Sequence, residues 1–485
     1  MLFNSYGFIF LFFPITLLGF FILQRAGRRL WNGTRRISLE NAFLLAASFV
    51  FYGWLHPEYI PVLISSMAVN YGLFVQMGKT QHKKKMLAAG LVFNIGALAV
   101  FKYVGTGDFL PLGISFFTFT QIAFLMESYR GNLKEVSALS YGLYVSFFPK
   151  MIQGPIALPG EMLPQFEKAE KRADWERIFR CLYLFVLGLF KKVLLADTLG
   201  KAADFGYANL PSLNSADGII VMLSYTLQLY FDFSGYCDMA MGIAGIFGID
   251  LPLNFDSPYK ASNIMEFWKK WHITLTRFFT RYLYIPLGGN RKGKARTYLN
   301  CIIIFLVSGI WHGAGWQFII WGFLHGALYV LTRAWIDHRA DKAKTKHHKK
   351  SRILHGISVL LTFSYVNIAW IFFRAPSVKD ALDLLKTICS FRFGRINWGL
   401  ASCFNLDEFW YVIKVAGIDS WQYAHYILMV VILVAMLVMV FFCKNAVDAA
   451  KRVKPGVVNA VLMAILFVWS VLSFSGVSSF LYVNF

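Results

Sequence analysis

The chain has 485 residues, of which 57% are hydrophobic, 18% aromatic and only 15% charged, with a net charge of +22 and a mean hydropathy of +0.53. Soluble domains average roughly 25% charged residues, and about 20 apolar residues cross a ~30 Å hydrocarbon layer as a helix. The composition therefore excludes a soluble domain and predicts an all-α polytopic membrane protein.

From the N-terminus, a first apolar run at residues 5–23 has its positive charges after it and no small-residue cleavage site. It reads as a membrane helix rather than a removable signal peptide. Further segments follow near residues 40–55, 59–77, 86–103, 111–128, 178–195, 217–231, 298–312, 316–335, 353–373, 424–442 and 457–475. The lysines and arginines cluster between them, at residues 24–36, 79–85, 291–296, 337–352 and 444–454. Short basic loops mark the cytoplasmic face. The parity of the segments puts every cluster on that side and both termini outside. The charge thus reports topology and not nucleic-acid binding, with anionic lipid or a phosphorylated cofactor as secondary partners. The loop at residues 375–422 has no basic excess, as expected of an outer loop. Among six cysteines none forms a C-x-x-C pair. Cys389 and Cys403 share that outer loop, where a disulfide is open to them. His347 and His348 belong to a charged loop and read as solvated.

Two regions depart from simple spans. Residues 140–166, "SYGLYVSFFPKMIQGPIALPGEMLPQF", are interrupted by Pro149, Gly154, Pro155, Pro159 and Gly160, and predict a re-entrant piece. In residues 232–296 the apolar stretch "MAMGIAGIFGI" is too short to cross. Beyond it Asn263, with Glu266 three residues on, signals a helix start. Ile264, Phe267, Trp268, Trp271, Leu275, Phe278, Phe279 and Tyr282 then recur at helical spacing, with Lys269, Lys270, Arg277 and Arg281 opposite. The pattern predicts one basic amphipathic helix at the cytoplasmic interface. No repeat and no second domain is visible, so residues 1–485 read as a single membrane domain. Its core spans residues 111–335, with N-terminal helices over 1–110 and C-terminal helices over 353–485.

Two histidines stand inside the run "FLVSGIWHGAGWQFIIWGFLHG" at residues 305–326. An ionisable group at membrane depth normally faces the bundle interior or a wet cavity. His312 lies beside the glycine break at Gly313 and Gly315, where backbone opens to a cavity, and suits a general base. His325, flanked by Gly322 and Gly326, is equally explained as interhelical glue. His272 borders the apolar stripe of the amphipathic helix, next to a basic face able to hold phosphates. Asp232 and Asp238, in "YFDFSGYCDMA", are helix caps, relay groups or hydrogen-bond anchors. No metal-ligand spacing, P-loop or G-x-S-x-G appears, so no metal is predicted.

The motifs "MIQGPIALPGEMLPQF", "YFDFSGYCDMAMGIAGIFGIDLPLNF", "FWKKWHITLTRFFTRYLYIPLGGNRKG" and "SGIWHGAGWQFIIWGFLHG" together resemble the membrane-bound O-acyltransferase family. The nearest branch is the bacterial one that contains the alginate and peptidoglycan O-acetylation proteins. The resemblance implies a bundle of about 11–12 membrane helices, with re-entrant and interfacial pieces around a central cavity. It implies an inner-membrane acetyltransferase that takes acetyl from cytoplasmic acetyl-CoA for an extracytoplasmic polysaccharide or peptidoglycan, working with a separate extracytoplasmic partner. The family's histidines map onto His312 and His272, with His312 as base and His272 orienting a group or donating to the oxyanion. Donor phosphates are expected near Lys269, Lys270, Arg277, Arg291 and Lys292. One departure is visible: members of the family commonly carry an Arg-Asp pair before "YLYIPLGGN", where this chain has Thr280 and Arg281, so a role of that acidic position does not carry over. D-alanyl transfer to teichoic acid, lipid acylation, a secondary transporter and a non-catalytic scaffold are the alternative readings.

Overall fold

The computed structural model describes residues 1–30, 33–104, 109–167, 174–342, 351–405, 414–417, 421, 423–476 and 480–481. His347, His348 and the rest of residues 343–350, half of the basic cluster at 337–352, lie outside the described residues. Every regular element among the described residues is helical. Among the described residues seven helices are long and apolar enough to cross a membrane, including Gly293–His312, Trp316–Arg339, Arg352–Arg374 and Ala424–Phe442. The other predicted segments are also helices, too short or too polar by the same measure.

The centre of the bundle is one 32-residue helix, Ser215–Ile246, about 48 Å long at 1.5 Å per residue. Every residue from Ser224 through Ala240 on it is buried. Asp232 therefore does not end a span, as the short apolar stretch after it had implied; the helix runs through both carboxylates to Ile246. Glycines allow this depth of burial. A methyl group at Gly188 would come within 2.6 Å of the Gly235 carbonyl, and one at Gly242 within 2.6 Å of the Cys181 carbonyl. The central helix and Trp175–Phe190 thus pack backbone to backbone, as small residues permit between membrane helices.

Two apolar cores flank this axis. One joins the N-terminal helices to residues 141–166; the other gathers residues 255–282 with parts of the last long helices. Residues 140–166 form a short helix, Ala138–Ser146, an irregular buried stretch, and a second short helix, Pro159–Phe166. Irregular backbone at membrane depth is tolerated when protein encloses it. The predicted amphipathic helix is broken in two, Ile264–Lys270 and Ile273–Phe279, with His272 between them in a left-handed conformation at φ 44°. The break is imposed from a distant strap: the Asp256 N–H donates to the Lys270 carbonyl, and the Ile273 N–H to the Asn254 carbonyl, both at 3.0 Å. The apolar stripe is buried as its spacing predicts. Cys389 and Cys403 are free thiols.

Candidate active site

His312 is the last residue of Gly293–His312, whose ladder ends against the Gly313 break. Its ring lies 4.4 Å from Trp311, 5.1 Å edge-on to Trp321 and 4.9 Å from Phe373. Lys102 caps this helix end by donating to the Trp311 carbonyl, which complements the negative pole of the helix dipole. Lys102 and His272 both lie within electrostatic reach of His312, so the fold brings the two predicted imidazoles into one neighbourhood.

His272 is almost fully buried, edge-on to Phe233 at 4.7 Å. Its Nδ1 is 3.1 Å from Asn254 Oδ1. Burial holds this imidazole well below its ordinary range, at about 3, so the ring is neutral at physiological pH. Its left-handed backbone, which costs about 1–3 kcal/mol, is where the two short helices join. His325 sits elsewhere, on Trp316–Lys342, and accepts a hydrogen bond from Trp268 Nε1 at 3.3 Å. The rings of Trp321, Trp370 and Phe305 surround it. The indole N–H groups of Trp311, Trp321 and Trp370 are buried without a hydrogen-bond partner among the described residues.

A cavity of about 190 Å³ opens beside these rings, with apolar walls that include Trp268, Phe279 and Phe305, and with Lys269 and Arg333 among its lining. It reaches Ser308, one turn, or ~6 Å, before His312. His312 itself does not line it. Arg333 was missed in the sequence because it stands inside a long apolar helix, although a cation so near a basic loop is a usable signal.

The other predicted cations are differently engaged. Arg277 makes a double contact with Glu161, one arm at 2.8 Å. Lys270 pairs with Glu266 at 2.9 Å. Arg291 and Lys292 lie exposed in the turn before Gly293–His312, outside the cavity lining. Arg281 reaches back to Glu127, with contacts of 2.8 and 2.6 Å. Asp238 is held by Lys191 at 2.6 Å, and Asp232 by Lys192 at 2.8 Å. Both lysines come from the π-helical turn Lys191–Ala196, so these carboxylates are tied into ion pairs between helices. Among the described residues no cluster of three or more His, Cys, Asp or Glu could hold a metal.

A helical membrane bundle that buries imidazoles beside a small cavity with cations in its lining is the apparatus of an intramembrane enzyme. The chain belongs to the membrane-bound O-acyltransferase (MBOAT) family, whose model matches residues 8–373, and it is an O-acyltransferase. It is 42% identical over 434 residues to the peptidoglycan O-acetyltransferase of Helicobacter pylori, covering 80% of this chain and 79% of that protein. It is 33% identical over 416 residues to the probable alginate O-acetylase AlgI of Pseudomonas aeruginosa, covering 81% and 75%. A teichoic acid D-alanyltransferase of Streptococcus thermophilus is 30% identical over 292 residues, or 54% of this chain and 68% of that one.

Proposed function

We propose that this protein transfers acetyl from cytoplasmic acetyl-CoA to an extracytoplasmic glycan, peptidoglycan before alginate, through a separate extracytoplasmic partner, in the bacterial inner membrane. The observation that carries the reading is the cavity whose lining includes both Lys269 and Arg333 and Ser308, one helical turn before His312. The order of acceptors follows the identities of 42% and 33%. The side on which the donor enters follows the basic loops, which the positive-inside rule assigns to the cytoplasm.

At about 190 Å³ the cavity is smaller than the ~300–1,000 Å³ that encloses a whole drug-sized ligand. Only the acylated tip of a pantetheine arm enters, and the nucleotide stays outside against Lys269 and Arg333. A rotation of Trp268 or Phe305 joins the cavity to the space around His312. There the hydroxyl oxygen attacks the thioester carbonyl, His312 takes the hydroxyl proton, and the CoA thiolate leaves and receives that proton. His272 holds a reacting group in place, and the indole N–H groups of Trp311, Trp321 and Trp370, buried without a partner among the described residues, serve the developing oxyanion.

The test is turnover of labelled acetyl-CoA by the purified protein in nanodiscs, with and without a glycan-acetylating partner. Thioester consumption with label passing to partner or glycan is expected. Consumption of a D-alanyl carrier instead, with acetyl-CoA untouched, would replace the donor.

A further inference from the structure

Asn254 joins the backbone break at His272 to the chemistry of its ring. The Asn254 amide oxygen accepts the backbone N–H of Thr274 at 3.2 Å, the Thr274 hydroxyl at 2.9 Å and contacts His272 Nδ1 at 3.1 Å. A backbone N–H can only donate, so the atom facing Thr274 and His272 is the amide oxygen and not the nitrogen. The amide nitrogen points the other way, to Cys237 Sγ at 3.3 Å. The Thr274 hydroxyl is oriented in turn, because it accepts the Ile156 N–H at 3.0 Å and so spends its own proton on Asn254. Every direction in this chain is set from the backbone, and one role is left for His272 Nδ1: it carries a hydrogen and donates it.

We infer that Asn254 is a positioning residue that fixes His272 in the Nδ1–H tautomer, making Nε2 the nitrogen that accepts a hydrogen bond or a proton. The inference deepens the proposed acyl transfer and rests on it for its catalytic consequence. Held this way, a neutral His272 receives from the acceptor hydroxyl or from His312 and does not donate to the oxyanion, which falls to the indole N–H groups. Asn254 also accepts the Ile273 N–H through its own carbonyl at 3.0 Å. The same residue therefore sets the left-handed turn and the tautomer, so ring orientation and proton placement are determined together.

The experiment uses the full-length protein in nanodiscs with isotopically labelled histidine, and assigns the His272 signals by difference from His272→Gln. Imidazole nitrogen and Cδ2 shifts are expected to report the Nδ1–H form in the parental protein and in Asn254→Asp, whose carboxylate still accepts. In Asn254→Leu they are expected to move to the Nε2–H form or a mixture. In the same preparations Asn254→Leu should lower kcat on the order of 10²-fold with KM for acetyl-CoA unchanged, and Asn254→Asp should restore it. An Nε2–H signature in the parental protein overturns the inference whether or not Asn254→Leu folds, and so does an Asn254→Leu protein with parental kcat. If the parental protein consumes no acetyl-CoA, the proposed function fails, while the tautomer signature still decides what Asn254 does.

Discussion

His325→Phe separates the imidazole assigned to packing from the two proposed to react. The substitution keeps an aromatic ring in the space between Trp268, Trp321 and Trp370 but removes the acceptor that Trp268 Nε1 reaches at 3.3 Å. Trp268 and His325 are both buried, so the indole N–H is left unsatisfied, at a cost of about 1–3 kcal/mol. The bond is at the long end of its range, and hydrogen bonds between membrane helices average about 0.6 kcal/mol. The expected loss of stability is therefore about 1 kcal/mol, read as a lowered unfolding midpoint of the protein in detergent. Acetyl transfer, normalised to folded protein, is expected to keep its kcat to well within tenfold. A larger fall in kcat, which would correspond to more than about 1.4 kcal/mol of lost transition-state stabilisation, would place His325 in the chemistry and refute its assignment as a packing group.

Lys269→Gln and Arg333→Gln should each raise KM for acetyl-CoA several-fold while leaving kcat unchanged, and the effect should shrink in high salt. Arg277→Gln should change that KM less, because its guanidinium is already committed to Glu161. Phe305→Ala removes a wall of the cavity and is expected to admit butyryl- or hexanoyl-CoA in the turnover assay. Glu127→Gln takes the charge from a buried carboxylate held by Arg281, Arg130, Asn132 and Tyr282. About 2 kcal/mol of stability should go with it, at 1.5–3 kcal/mol for hydrogen bonds to a charged group, with unfolding in detergent as the readout. Trp321→Phe keeps the ring against His312 and deletes an N–H proposed to serve the oxyanion, so kcat should fall by about 10²-fold without loss of fold.

Much of this architecture was readable from residue patterns because burial in a membrane is a local property. Long apolar runs and the glycines after His312 each leave a signature within a few residues, and they appear in the structure as helices and a helix end. What stayed hidden depends on contacts between distant parts of the chain. The stripe through Trp268, Trp271 and Leu275 continues at helical spacing across His272, so nothing nearby announces the break; it is made by a strap 16 to 18 residues upstream. The basic face looked free to bind phosphates, yet Arg277 is neutralised by Glu161 and Arg281 by Glu127, 116 and 154 positions away. Asp232 resembled the end of a span because an unpaired carboxylate would be one. Lys192, 40 positions earlier, is what lets the helix continue past it.

The central claim is that the imidazole of His312, one turn beyond Ser308 in the cavity lining, takes the proton of the accepting hydroxyl. It is tested most directly by the rate of acetyl transfer from labelled acetyl-CoA in His312→Ala, compared with the parental protein in nanodiscs at matched folded concentration. The expected result is a fall in kcat of about 10²–10⁴-fold with an unchanged unfolding midpoint. A folded His312→Ala protein that transfers acetyl at the parental rate would contradict the account.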